Sequence, residues 1–170
     1  MTTESVVPEV RHVRNIYLRA SEEARRRGDR RTGTDHLVLA VLEDSSVEVV
    51  LGVSLQQARD ALQSLDQEAL GALGMASGTD APPLPMRAVP KKPTFKAVMK
   101  RDRLRMTPAA KKVLEDAVRP NRRKTQVTDQ QVLAQLLTLQ RPDPAAVLLG
   151  ALGVSTSEVR RRLETVTPDR

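Results

Sequence analysis

Two stretches place a threonine directly before an aspartate at the head of an apolar run: Thr34-Asp35 in "TGTDHLVLAV" and Thr128-Asp129 in "VTDQQVLAQLL". A threonine there serves as a helix N-cap, its oxygen accepting a backbone N–H. An aspartate in the first turn is favoured by the helix dipole. Reactive groups are otherwise scarce. The chain has no cysteine, which removes disulfides, thiolate chemistry and cysteine-ligated zinc together. Of the 2 histidines, His36 is read as a packing or hydrogen-bonding residue and His12 as solvent-facing. No nucleophile, base and oxyanion site can be assembled from these residues, and no Gly-x-x-x-x-Gly-Lys-Ser/Thr loop is present. The expectation is a non-enzyme that uses no cofactor and no metal.

The second chemical feature is basic. Between Arg87 and Lys124 fourteen Lys or Arg face only Asp102, Glu115 and Asp116, a local charge of +11 in a chain of +7, so the remainder is −4. Lys91, Lys92, Lys96, Lys100, Arg101, Arg103, Arg105, Arg122, Arg123 and Lys124 form a candidate phosphate-binding surface for nucleic acid, with salt-sensitive affinity. Against this, stacking platforms are nearly missing, since Tyr17 and Phe95 are the chain's aromatics. Nucleic-acid binding is therefore the alternative function, not the leading one.

The elements that must carry these residues are helical. At 170 residues with an aliphatic core, one domain is expected and strand-rich folds are disfavoured. Val10, Val13, Ile16, Tyr17, Ala20 and Ala24 recur at helical spacing up to Arg27, and Gly28 ends that helix. A second helix starts with Thr34 as N-cap and carries Leu37, Val38, Val41 and Leu42 inward. The short apolar piece "VEVVLGV" follows, and then Ser54 and Gln57 have capping-box spacing before a fourth helix. Later, Thr107 with Pro108, Thr128 with Gln131, Asp143 with Pro144 and Ser155 with Glu158 mark four more helix starts. Between the two sets, Gly71 to Pro93 concentrates Gly and Pro and reads as linker.

These two sets form an internal repeat. Thr34, Asp35, Val38, Leu39, Ala40 and Leu42 align at a constant offset with Thr128, Asp129, Val132, Leu133, Ala134 and Leu136. Leu51-Gly52-Val53-Ser54 likewise matches Leu152-Gly153-Val154-Ser155. The expected organisation is repeat one over 9–70, a mobile, basic linker over 71–105, and repeat two over 106–165.

"SEEARRRGDRRTGTDHLVLAVLED" and "TPAAKKVLEDAV", with "DPAAVLLGALGVSTSEVRRRL", resemble the duplicated amino-terminal domain of the Clp unfoldases of the A/C type. The resemblance spans most of the chain outside its ends and the middle segment. It implies an all-α domain of two pseudo-twofold-related four-helix repeats, acting as a receptor for substrates and adaptors. By the same resemblance Thr34, Asp35, Thr128 and Asp129 fall at sites for arginine-phosphorylated protein, where a carboxylate pairs with the guanidinium. Both acids are Asp where the family has Glu. The aromatic that precedes the family's opening threonine, part of a surface for macrocyclic peptide ligands and partners, is replaced by Met106 in repeat two and by Glu9 in repeat one. The implied role is a stand-alone adaptor or decoy in Clp-dependent proteolysis. Its expected partners are Clp unfoldase or protease components, or their substrates and adaptors. With no apolar run of membrane-spanning length, a cytoplasmic location without membrane contact is expected.

Overall fold

An aliphatic sequence almost without aromatics buries its surface best by helix packing, and helices dominate the chain. The computed structural model describes residues 10–74, 104–121 and 126–166. In order these form β1 (Val10–His12), α1 (Val13–Arg27), β2 (Arg31–Thr32), α2 (Thr34–Val41), α3 (Ser45–Leu51) and α4 (Leu55–Ala72). After the gap come β3 (Arg105–Met106), α5 (Pro108–Val118), a 3-10 turn (Arg119–Asn121), β4 (Gln126–Thr128), α6 (Asp129–Leu136), α7 (Pro144–Ala151) and α8 (Thr156–Val166). Among the described residues no helix is long and apolar enough to cross a membrane.

Local chemistry accounts for most boundaries. Gly28 adopts the left-handed conformation at φ 79°, and the amides of Gly28 and Asp29 close back on Arg25 and Ala24 at 2.9 Å, which stops α1. Ser54 and Gln57 form the reciprocal box expected of them, the Gln57 amide donating to the Ser54 hydroxyl at 3.2 Å and the Ser54 amide to Gln57 Oε1 at 2.8 Å. Thr107 caps α5 ahead of Pro108, and Asp143 caps α7 ahead of Pro144.

Several expectations are corrected. Helix α1 begins at Val13, not Val10, because Val10–His12 pairs antiparallel with β4 and the His12 ring accepts from the Arg14 amide as N-cap. The N-cap of α2 is Gly33, one residue before Thr34, whose hydroxyl is engaged elsewhere. Helix α4 continues to Ala72, past the expected linker boundary at 71. Glu158 pairs forward with Arg162 at 2.5 Å, and the Ser155 hydroxyl meets that of Ser157. The remainder of the linker, 75–103, lies outside the described residues.

Helices α2 and α6 pack against each other at the centre, α2 also touching α1, α5 and α7, and α6 touching α5, α3 and α8. Every residue of α2 is buried, including Leu39 and Ala40 on the side that an amphipathic helix would show to water. One continuous apolar cluster runs through both halves, from Ile16 and Val38 to Val132, Leu148 and Leu163. The strands lock the halves crosswise. Strand β1 of the first half pairs with β4 of the second, and β2 pairs in parallel with β3, placing Arg31 beside Arg105 and Thr32 beside Met106.

Candidate functional site

The two threonine-aspartate pairs end in different surroundings. At the first, the backbone N–H of Gly33 donates to His36 Nδ1 at 3.0 Å, so a histidine at the third helical position does the capping that Gln131 performs at the second start. That shift leaves Thr34 inside the helix. Its buried hydroxyl donates to Asp143 Oδ1 at 2.7 Å and accepts from the Ala145 amide at 3.3 Å, tying the start of α2 to the start of α7. Asp35 then occupies the second helical position. Its carboxylate folds back over Gly33 so closely that a methyl group there would collide with Oδ1.

A chain of charges runs from this carboxylate. Asp35 Oδ1 lies 3.2 Å from His36 Nδ1, and His36 Nε2 lies 2.9 Å from Asp29 Oδ2. Arg27 then joins Asp29 at 3.1 Å to Asp66 of α4 at 2.8 Å. Burial opposes charge on both members of the central pair, yet neighbours win. The hydrogen bond and charge of His36, with Arg27 behind it, hold the Asp35 carboxyl below the usual carboxylate range. Asp35 and Asp29 in turn hold the His36 imidazole above its ordinary value. Nδ1 has two exclusive uses. Unprotonated, it accepts from Gly33; protonated, it donates to Asp35.

Asp35 and His36 face a shallow groove of about 380 Å³ together with Arg30, Arg31, Gly33, Thr107 and Pro144. Arg30 and Arg31 are exposed. The starts of α2, α5 and α7 therefore converge on a groove that offers carboxylates beside guanidinium groups.

Asp129 is different. Thr128 is the N-cap, its hydroxyl accepting from the Gln131 amide at 3.2 Å, so Asp129 takes the first helical position. Its side chain has 0% exposure and is ion-paired with Arg19 of α1. The structure thus places one of the two expected sites on the wall of a groove and closes the other with a residue 110 positions away. Sequence reading missed Arg19, because nothing local marks a partner that distant.

A larger groove of about 550 Å³ lies between α1 and α5. Val13, Tyr17, Met106, Leu114 and Val118 give it an apolar floor, and Arg14, Lys111, Arg119, Glu115 and Asp116 supply rim charges of both signs. The Tyr17 hydroxyl is satisfied by the Leu104 carbonyl at 2.6 Å, so its ring faces the groove without an unmet donor. Met106 of the expected peptide surface is in this wall, whereas Glu9 lies outside the described residues. Of the basic set, Arg105 is exposed on β3 beside Arg31. Lys91, Lys92, Lys96, Lys100, Arg101, Arg103, Arg122, Arg123 and Lys124 lie outside the described residues. Among the described residues, no group of three or more His, Cys, Asp or Glu is placed to hold a metal ion.

No protein-family model matches this sequence, and no curated protein matches it.

Proposed function

We propose that this chain is a non-enzymatic protein-binding domain of the Clp amino-terminal type, built from two pseudo-twofold-related four-helix repeats, that serves as an adaptor or decoy in Clp-dependent proteolysis. The observation that carries the proposal is the α1–α5 groove. Its apolar floor and rim of both charge signs suit a short protein segment, with aliphatic and aromatic contacts giving affinity and the rim setting register. The same element order in each half and the crosswise strand pairs support the repeat.

A second reading, recognition of arginine-phosphorylated protein, draws on Asp35. A largely buried carboxylate lining a groove beside Arg30 and Arg31 can pair with the guanidinium of a phosphoarginine, while those arginines and the helix starts attract its phosphate. The test is an NMR titration of the 170-residue chain with a phosphoarginine-containing peptide and its unphosphorylated form. Shifts at Tyr17, Met106 and Leu114 with both peptides, weakened by Leu114→Asp, support the groove. An added phosphate-dependent gain that Asp35→Ala abolishes supports the second reading. Binding of neither peptide, with duplex DNA bound instead and lost between about 50 and 200 mM salt, would overturn both in favour of nucleic acid.

A further inference from the structure

Among the described residues, two of the arginine-carboxylate pairs with a buried acid are built differently. Arg59 grips buried Glu23 with two donors, Nε at 3.1 Å and Nη2 at 2.6 Å, one to each carboxylate oxygen. That is the fork geometry in which guanidinium and carboxylate match best. Arg19 meets Asp129 through Nη2 alone. Its Nε and Nη1 are buried without a hydrogen-bond partner among the described residues, and the next carboxylate, Glu43, stands 3.8 Å from Nη1. A guanidinium kept for stability uses its donors; this one turns only Nη2 to a hydrogen-bond partner among the described residues.

We infer that Arg19 is a resident occupant of the second helix-start site: its guanidinium fills, from within the folded chain, the place beside Asp129 that a guest guanidinium would take. The inference rests on reading the helix starts as guanidinium sites. Its consequence is that the domain is monovalent, with Asp35 lining a groove and Asp129 served in cis. The side chain of Arg19 is 14% exposed and that of Asp129 not at all, so the pair lies just beneath the surface, with Arg19 of α1 above it. Removing the head group leaves a buried carboxylate at the start of α6 and a space of guanidinium shape. A small guanidinium ion can refill it.

The test uses methylguanidinium as probe and thermal unfolding of the 170-residue chain as readout. Arg19→Ala should be stabilised by the probe by a few degrees once it exceeds its dissociation constant about tenfold. The Arg19→Ala, Asp129→Ala double variant and the wild type should show only the small common effect of the salt. An equal response of the single and double variants overturns the inference. Arg19→Met, which keeps an aliphatic stem, repeats the comparison should the alanine variant not fold. If neither single variant folds unaided, refolding from urea with the probe decides: recovery supports the inference and no recovery overturns it. The phosphoarginine reading fails separately, since loss of binding at Asp35 leaves the response at Asp129 unchanged.

Discussion

The starts of α2 and α6 carry nearly the same words and reach opposite ends. Gly33-Thr34-Asp35-His36 sets a glycine at the N-cap and a histidine at the third helical position; Thr128-Asp129-Gln130-Gln131 sets a threonine and a glutamine in those roles. The one-residue difference in cap moves the aspartate from the second helical position to the first. Asp35 thereby faces a groove, and Asp129 faces Arg19 with no exposed area. A repeated motif does not imply a repeated site, because the cap decides where each side chain points.

The largest expected effect comes from breaking the buried half. Asp129→Ala should cost about 3 kcal/mol or more, as it strands a mostly buried guanidinium, whereas Asp35→Ala, whose partner His36 keeps Asp29 on its other nitrogen, should cost less, about 1–2 kcal/mol. Urea unfolding of the two variants measures the contrast, and equal losses would erase it. The threonines come next. Thr34→Val leaves Asp143 and the Ala145 amide without the hydroxyl they share, an expected loss of about 1–3 kcal/mol. Thr128→Val removes one N-cap oxygen, an expected loss of about 1 kcal/mol. The ratio of the two, from the same unfolding series, tells a long-range tie from a local cap.

The third contrast is pH. At the second start Gln130 stands where the first has His36, so linkage through a histidine is expected from the first alone. The folded-state value of His36 is raised, so its share of stability is whole below about pH 6.5 and fades as pH climbs through the elevated value. That of Asp35 is lowered, so its share is whole above about pH 3.9 and is lost as pH falls through the depressed value. Asp35→Asn should therefore destabilise more near pH 5.5, where both groups are charged, than near pH 8.5. Unfolding free energies of variant and wild type at the two pH values check this.

The smallest effect on stability belongs to Gly33→Ala. With φ at −94° the backbone accepts alanine, and a cap change costs about 1 kcal/mol or less. Yet the new methyl displaces the Asp35 carboxylate from His36. Followed by NMR, the His36 titration should drop back toward its ordinary value; an unchanged midpoint would mean that Asp35 does not hold the proton.

Much of the architecture was legible because helix starts are local events. Thr107-Pro108, Thr128-Gln131, Ser54-Gln57 and Asp143-Pro144 each place donor and acceptor within one turn, so spacing alone locates them. The Thr34 cap was misread for the same reason. Its spacing to the apolar run is right, but Asp143 and Ala145, 109 and 111 residues away, claim the hydroxyl. The capping role of His36 had a visible signal, a polar ring three residues after a glycine, though glycine offers no side chain to advertise a box.

The sequence by itself determined the helical class, most of the caps and the aliphatic stripes, because each depends on contacts within a turn or two of chain. Only the tertiary structure decided which aspartate lines a groove, which strand pairs with which, and that Tyr17, Met106 and Leu114 share a groove. Those outcomes depend on residues brought together across the whole length of the chain, where no spacing rule reaches and only packing of α1 against both halves sets the partner.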